Sequence, residues 1–456
     1  MNLAKLLFFC CAFLFSVASA ASEKATFEKT LANGLRIIVK EDRRAPVAVH
    51  MVWYRAGSID EKDGTSGVAH VLEHMMFKGT KTLKAGEFNR RVAEAGGRDN
   101  AFTSLDFTAY FQIVPKEALA EMMRLEADRM ANLLIKPEEF ASEIQVVMEE
   151  RRLRTEDNPQ ARVHEALHAA TFMAHPYRRP VIGWMNDLEN MTWQDARDWY
   201  RAWYAPNNAY LVVVGDVDPR EVFRLAERTY GKLQPRALPV RKPQREPVQT
   251  GVRRVTVKAP AQLPYLVMAW RVPKLVDVEK DREPYALEVL AAALEGNDAA
   301  RLPKRLVRGE KIAQSAEAGY DATLRGEALF ILGGQPAAGR SVADLEAALR
   351  GEIRRIQDEG VSEEELKRVK TQVVAAQVYK RDSMMAQAME IGRMEAVGFS
   401  WRDIDKFIDR IKSVTAEEVQ AVAKKYFSDD TLTVAVLDPL PLEAAAVKRR
   451  GFATRH

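Results

Sequence analysis

The same succession of elements occurs twice in this chain, and the repetition limits the folds open to it. Near the end of the first half, Tyr204 begins the segment YAPNNAYLVVVGDVDP, and near the end of the second half Tyr426 begins YFSDDTLTVAVLDP. Each segment follows a helical pattern that opens with a threonine, Thr192 or Thr415, a residue type favoured at helix N-termini. Duplication of one structural unit is the economical explanation, and chance similarity of two short units is the alternative.

A proline-rich segment separates the two halves. Residues 233–250 read LQPRALPVRKPQREPVQT, with four prolines and neither helical nor strand periodicity. This composition predicts an extended linker. We therefore expect a first domain at 21–233, a linker at 234–250, a homologous second domain at 251–440 and a tail at 441–456.

Strand and helix signals alternate within each half. GLRIIVKED and VAVHMVWYRAG predict a pair of strands, NAFTSLDFTAYFQIV predicts an alternating strand, and SGVAHVLEHMMF and EEFASEIQVVMEERRLR predict long amphipathic helices. Several helices against one antiparallel sheet per half predict an α+β fold of two homologous domains. The 47% hydrophobic and 29% charged residues are ordinary for a globular protein and exclude a disordered chain. The formal net charge of +4 gives no reason to expect a nucleic-acid partner.

Residues 1–20 have the pattern of a secretory signal peptide. Lys5 precedes a short apolar run, which ends in the small-residue cleavage motif ASA. Both cysteines of the chain, Cys10 and Cys11, lie inside this segment, so the processed chain has no disulfide. We therefore expect export across the inner membrane, most simply into a periplasm. No later run reaches about 18 apolar residues, so no membrane span is predicted.

The first of two histidine pairs is a candidate metal site. His70 and His74 flank Glu73 in the sequence HVLEH. On a helix, residues i and i+4 share one face, so both imidazoles can bind a single metal ion, and Glu73 leans to the same side. The surrounding sequence GVAHVLEHMMF is mainly apolar, which predicts a buried helix whose polar groups need a partner.

The second pair is the alternative metal site. His164 and His168 occur in the sequence HEALH, with Glu165 as the central carboxylate and Glu189 downstream as a conceivable third ligand. The segment NPQARVHEALHAATF is typical of a half-exposed surface helix. Two polar histidines on a helix surface are an ordinary interpretation of either pair, and sequence context favours the first pair as the metal site.

The residues around the first pair resemble a known enzyme family. TSGVAHVLEHMMFKGT is similar to the inverted zinc motif of the pitrilysin/insulinase-type metallopeptidases, particularly the branch that contains mitochondrial processing peptidase. The resemblance extends through NAFTSLDFTAYF, VVMEERRLRTEDNP, HPYRRPVIGW and WYAPNNAYLVVVGDVDP. It covers the first half with specific motifs and the second half more weakly, through the repeat.

The resemblance implies a zinc endopeptidase with one Zn²⁺ per chain, acting on peptides or unfolded polypeptide segments. It makes Glu150, on a later helix, the third ligand beside His70 and His74, and it makes Glu73 the general base. Glu143 lies two helical turns before Glu150, about 10 Å along the axis, which suits a residue that hydrogen-bonds to a ligand and orients it.

The resemblance also implies a substrate-binding strand. The segment from Asn100 to Tyr110 is expected to form an edge strand that pairs with the substrate backbone, with Asn100 and Ala101 nearest to the scissile bond. Because such pairing reads the backbone, it tolerates many side chains. An ordinary sheet strand is the other interpretation of this segment, and both can hold.

The second half departs from the family pattern. The region parallel to the zinc motif has no histidine, and only one member of the family's oxyanion-stabilising arginine-tyrosine pair is matched: Arg308 is present, but Gln314 occupies the tyrosine position. One missing oxyanion donor typically costs about 10²–10³-fold in turnover. We therefore expect a homologous zinc-less subunit that carries the pair, in a heterodimer that closes around a chamber; a homodimer is the alternative. A non-catalytic subunit of a peptidase complex is the competing interpretation.

Overall fold

The computed structural model describes residues 26–442. The signal peptide expected at residues 1–20 and most of the tail expected at 441–456 lie outside this range. The strands are β1 (Thr26–Thr30), β2 (Arg36–Glu41), β3 (Val47–Tyr54), β4 (Arg98–Thr103), β5 (Thr108–Pro115), β6 (Ala209–Gly215), β7 (Arg253–Pro260), β8 (Tyr265–Val272), β9 (Ala313–Tyr320), β10 (Ala328–Pro336) and β11 (Leu432–Leu440).

In the described part of the chain, eight α-helices lie before the linker and six after it. They are α1 (Val68–Met75), α2 (Glu87–Glu94), α3 (Leu119–Asn132), α4 (Pro137–Arg151), α5 (Pro159–Thr171), α6 (Met185–Asn190), α7 (Trp193–Trp203), α8 (Pro219–Thr229), α9 (Glu283–Glu295), α10 (Val342–Glu359), α11 (Glu363–Lys380), α12 (Met384–Val397), α13 (Asp403–Ser413) and α14 (Ala416–Tyr426). A π-helical turn at Leu302–Gly309 follows α9. None of the helices described is long and apolar enough to cross a bilayer.

The two sheets share one topology. The first has the order β1-β2-β6-β3-β5-β4 and the second the order β7-β11-β8-β10-β9, so the orders coincide once β1 is set aside. In each sheet one pair is parallel, β2 with β6 and β7 with β11, and the remaining pairs are antiparallel. The predicted α+β fold is confirmed, with mixed rather than purely antiparallel sheets. Identical strand order in both halves is what duplication of one unit produces.

One helix from each half packs on the sheet of the other half. Helix α12 of the second half lies on the first sheet, where Ala388 and Ile391 belong to the same buried cluster as Trp53 and Tyr210. Helix α5 of the first half lies on the second sheet, where it packs against β7, β8 and β11. Both faces of β6 are covered as a result, which explains why its sequence AYLVVVG is a continuous apolar run rather than an alternating one.

Gly392 makes the contact between α12 and the first sheet possible. The Tyr210 hydroxyl donates a hydrogen bond of 2.6 Å to the Gly392 carbonyl, and a Cβ on Gly392 would lie 2.0–2.4 Å from the Trp53 ring. We expect Gly392→Ala to lower the free energy of unfolding by about 1–3 kcal/mol, because the ring and the helix must move apart. Urea denaturation checks this.

The matched control is Gly351→Ala inside α10. A Cβ there meets nothing within 4 Å, so the same change should raise the helix propensity and leave the fold as stable or more so. Equal losses at both glycines would contradict the close packing of α12 on the sheet.

One sequence prediction is wrong in detail. The segment from Asn100 to Tyr110 was expected to be a single edge strand, but it forms a hairpin, with β4 and β5 separated by a turn at residues 104–107. Of these two strands only β4 lies at a sheet edge, since β5 pairs with strands on both sides. The alternation of the sequence continues across the turn, which is why the pattern could not separate the two strands.

The linker predicted at 234–250 contains neither helix nor strand. It runs from the end of the first half to β7 of the second sheet. The domain boundaries predicted from the sequence stay a proposal.

Candidate active site

Helix α1 begins at a close approach between two loops. Its N-cap, Gly67, has φ +87°, and a Cβ there would lie 2.5 Å from the Ile182 carbonyl oxygen. The buried Glu61 carboxylate accepts hydrogen bonds from the N–H groups of Gly67, at 2.9 Å, and Ala69, at 3.0 Å. A carboxylate at the helix N-terminus satisfies donors that have no partner within the helix. These contacts fix the position of the HVLEH segment.

Three side chains meet between α1, which carries His70 and His74, and the C-terminal end of α4, which carries Glu150. The rings of His70 and His74 lie 4.8 Å apart, centre to centre. The two carboxylate oxygens of Glu150 lie 3.8 Å from Nε2 of His70 and 3.3 Å from Nε2 of His74. Each residue offers one ligand atom, and these atoms all lie within 4.8 Å of one another. Over residues 26–442 this is the group of at least three such side chains that is close enough to hold a metal ion.

Glu143 sits behind this group and contacts His74. Its Oε1 lies 2.9 Å from Nδ1 of His74, and its other oxygen forms an ion pair with Lys78. A carboxylate at Nδ1 fixes the imidazole so that Nε2 faces Glu150. Burial acts to raise the pKa of Glu143, but the hydrogen bonds from His74 and Lys78 lower it, so the residue is ionised.

The two histidines differ in their electrostatic surroundings. Burial lowers the pKa of His70 to about 4. Burial also acts to lower the pKa of His74, but the contacts with Glu143 and Glu150 outweigh it and raise that pKa to about 9. A cation that binds between the rings at neutral pH must therefore displace a proton from His74, so its affinity falls as the pH is lowered.

The donor chemistry of this group suits zinc. Two imidazole nitrogens and one carboxylate oxygen, with room for a fourth ligand, are the pattern of catalytic rather than structural zinc sites. Nδ1 of His70 is buried and has no hydrogen-bond partner in the described part of the chain, while Nε2 of the same ring faces Glu150. His70, His74 and Glu150 are the residues that would hold the ion.

Glu73 lies beside the three donors and is held by Thr103. The Thr103 hydroxyl donates a hydrogen bond of 2.5 Å to Oε2 of Glu73. Burial raises the pKa of Glu73 above the usual range of a glutamate. A carboxylate with a raised pKa is better suited to accepting and releasing a proton near neutral pH than an exposed one.

The group opens into a cavity of about 730 Å³. Strand β4 forms part of the wall, and Asn100 and Ala101 both line it. Because β5 is the only partner of β4 among the described strands, the other side of the β4 backbone is free to form hydrogen bonds with an extended chain. The structure therefore brings both predicted substrate contacts into the same cavity as Glu73.

The second histidine pair lines the same cavity but lacks a metal-site geometry. Nε2 of His164 lies 2.9 Å from the Tyr265 hydroxyl, and Nδ1 of His168 lies 3.3 Å from a backbone carbonyl. The carboxylate between them, Glu165, forms an ion pair with Arg151 at 2.8 Å. The conceivable third ligand, Glu189, is exposed at the end of α6.

Arg308 and Gln314 lie apart from this cavity. Arg308 is exposed in the π-helical turn after α9 and donates a hydrogen bond to the Asp298 carbonyl, and Gln314 is exposed on β9. Neither lines the cavity. Within one chain the structure therefore does not bring the predicted oxyanion arginine to Glu73.

Sequence reasoning missed two residues that shape the site. Glu61 stands before α1 in the chain and could have been found as a carboxylate near a helix start. Thr103 carries no such signal, because its contact with Glu73 depends on how β4 lies against α1.

This chain has two similar α+β halves and a His-His-Glu group beside a free strand edge. By fold and donor chemistry it belongs to the class of two-domain metallopeptidase-like proteins. Family models match the chain as Insulinase (Peptidase family M16) over residues 36–184 and as Peptidase M16 inactive domain over residues 190–373. Zinc protease PqqE of Helicobacter pylori is 32% identical over 426 residues, which are 90% of this chain and 92% of that protein. The chain is therefore a member of the insulinase family, peptidase family M16, and the resemblance noted in the sequence is confirmed.

Solved structures agree with this membership. A protease from Helicobacter pylori superposes with a TM-score of 0.86 at 29% identity, over 91% of this chain and 100% of that one. The periplasmic protease PqqL from Escherichia coli shares the fold, with a TM-score of 0.78 at 21% identity, over 95% of this chain and 50% of that one. The PqqL chain is thus about twice as long as the unit found here.

Proposed function

We propose that this chain is an exported zinc-dependent endopeptidase that hydrolyses peptides or unfolded polypeptide segments. One observation carries the proposal: the Glu73 carboxylate lies next to the His70, His74 and Glu150 donors in a cavity bordered by a free strand edge. The names of the relatives, which are zinc proteases, support it.

The residues divide the chemistry among them. Zinc held by the two imidazoles and the Glu150 carboxylate would acidify a water molecule and polarise the scissile carbonyl. Glu73 takes a proton from water at its carboxylate and passes it to the leaving amine. Thr103 holds the Glu73 side chain in place during both transfers. Glu143 keeps the His74 ring oriented.

Strand β4 binds the substrate by adding it to the sheet. An extended peptide that pairs with the backbone around Asn100 and Ala101 lies along the cavity wall, next to Glu73. Main-chain hydrogen bonds supply affinity without reading side chains, so a wide range of extended sequences is accepted. A folded protein cannot offer a free strand in this way.

A second chain completes the chamber. PqqL is about twice the length of this unit, which supports pairing of two such units, either with a homologous zinc-less subunit or with a second copy. Arg308, which does not line the cavity of its own chain, then acts on the cavity of the partner in a homodimer, and the partner supplies the arginine-tyrosine pair in a heterodimer. The periplasm is the proposed location, as for PqqL.

The competing function is that of a non-catalytic subunit. The match to the inactive domain favours it, but this match begins at residue 190, after all four site residues. His70, Glu73, His74 and Glu150 lie in the part matched by the peptidase model.

A peptide-library digest tests the proposal. The purified chain without residues 1–20, alone and with any homologue that co-purifies from the native host, is incubated with unstructured peptides. We expect internal cleavage that stops when a chelator is added and returns with Zn²⁺. Absence of cleavage with and without the homologue, in a chain that has bound zinc, would favour the non-catalytic subunit.

A further inference from the structure

Helix α5 contributes side chains to the cavity that the proposed mechanism does not use. His164, Glu165 and His168 all line it. Glu165 forms an ion pair with Arg151, and a ring nitrogen of His168 contacts a backbone carbonyl oxygen of the first half. His164 is different, because it ends a chain of hydrogen bonds that begins in the second sheet.

This hydrogen-bond series links Glu317 to Tyr265 and Tyr265 to His164. Tyr265, the first residue of β8, is 5% exposed and donates its hydroxyl hydrogen to Oε1 of Glu317 on β9. The same hydroxyl oxygen lies 2.9 Å from Nε2 of His164. A tyrosine hydroxyl has one hydrogen, so Nε2 of His164 must be the donor in the second bond. The other ring nitrogen, Nδ1, is then a lone-pair acceptor when the ring is neutral.

Gly333 on β10 gives the Glu317 side chain its path to Tyr265. A Cβ on Gly333 would lie 2.7 Å from Oε1 of Glu317 and 2.9 Å from the Leu266 carbonyl oxygen. The carboxylate therefore crosses the sheet directly over this glycine. The crossing holds the carboxylate at the Tyr265 hydroxyl and thereby sets which nitrogen of His164 carries the proton.

Nδ1 of His164 is available to a ligand. Over residues 26–442 no group forms a hydrogen bond with it, and it is not among the polar atoms that are buried without a partner. Burial lowers the pKa of His164, which keeps the ring neutral at physiological pH. The cavity thus contains an oriented imidazole acceptor that is supplied by one half and held by the other.

We infer that His164 is a substrate-positioning residue, whose Nδ1 accepts a hydrogen bond from a backbone N–H of a peptide in the cavity. The inference rests on the proposed function for the identity of the ligand as a peptide. Because Glu317 and Tyr265 orient the ring beforehand, little ordering is required when the peptide binds. The site then rejects proline at one position of the substrate, since proline has no N–H.

Peptide binding tests this inference separately from hydrolysis. The full processed chain carrying Glu73→Gln is titrated against a fluorescein-labelled decapeptide of alternating valine and threonine with a lysine at each end. Analogues carry one N-methyl group at each backbone nitrogen in turn, and binding is measured by fluorescence anisotropy with Zn²⁺ present. The same series is repeated with His164→Leu added.

We expect one position at which N-methylation weakens binding about three- to tenfold, the range for one neutral hydrogen bond, and at which this loss vanishes when His164 is leucine. Methylation losses that are identical with and without His164 overturn the inference, and so does failure of the decapeptide to bind either chain. If binding depends on His164 while the chain with Glu73 intact and zinc bound cleaves no peptide, the peptidase proposal is removed and the binding role is left intact.

Conservative variants separate positioning from simple packing. His164→Asn keeps an acceptor near the place of Nδ1 and should retain the methylation loss, whereas His164→Gln keeps only the group near Nε2 and should not. Tyr265→Phe should make the effect of N-methylation on peptide binding smaller, because the His164 ring is then no longer held in one orientation. Its matched control is Tyr320→Phe, because the Tyr320 hydroxyl bonds to the Pro273 carbonyl at 2.6 Å, away from this cavity. If both tyrosine changes altered the effect of N-methylation equally, the role assigned to the hydrogen-bond series from Glu317 to His164 would be overturned.

Discussion

Replacing Glu73 with glutamine should lower peptide hydrolysis by about 10²–10⁴-fold, the usual contribution of a general base, while the chain keeps its zinc. The amide has nearly the same shape and can still contact the Thr103 hydroxyl, but it cannot accept the proton. The proposed metal donors are other residues, so the zinc content should be unchanged. Rates on a cleaved peptide and metal analysis of the same protein sample provide the check.

The matched control is Glu165→Gln, the same chemical change in the second His-Glu-x-x-His sequence. Glu165 lines the same cavity, but it is paired with Arg151 and lies in a segment without a third metal donor. We expect its hydrolysis rate to stay within a few-fold of the unaltered chain. Activity that survives the loss of Glu73 and disappears with the loss of Glu165 would transfer the metal site to His164 and His168.

The choice between these two pairs shows how far the sequence alone could go. The i, i+4 spacing is the same in both pairs. The apolar context of the first pair and the resemblance of its surrounding residues to a peptidase family favoured it. The reason for the difference lies elsewhere in the chain: Glu150, far along the sequence, comes within 3.8 Å of His70, whereas His164 is turned to Tyr265 of the other half. Helical spacing predicts which side chains share a face, but it cannot predict what that face meets.

For the fold too, local sequence patterns predicted the elements but not how distant elements pack against one another. The repeat of helix, turn and buried strand predicted two similar α+β halves, and the equal strand orders agree with it. No sequence pattern predicted that α5 packs on the second sheet and α12 on the first. A helix that covers the sheet of the other half has the same amphipathic pattern as a helix that covers the sheet of its own half. The hairpin at β4 and β5 was missed for a similar reason, since alternation continues through the turn.

The buried ion pair behind the site leads to the largest expected change in stability. Glu126 and Arg129 on α3 are 0% and 1% exposed, and their side chains form two hydrogen bonds of 2.6 and 2.8 Å. The guanidinium also lies 4.2–4.8 Å from the centres of the rings of Phe77, Phe88 and Tyr110. Phe77 lies two residues after the end of α1, so the packing of this charge helps to hold the helix that carries the HVLEH segment.

Glu126→Gln should lower the free energy of unfolding by about 3–5 kcal/mol, because it leaves the Arg129 charge buried without a counter-ion. Arg129→Met should cost a similar amount by stranding the carboxylate, which also accepts a hydrogen bond of 2.6 Å from Gln112. The control is Glu94→Gln, which removes the same charge from an exposed pair with Arg90 and should leave the urea midpoint nearly unchanged. If all three variants unfolded at the same urea concentration, the pair would contribute no more than a surface contact, and the position of α1 would have to depend on its apolar neighbours alone.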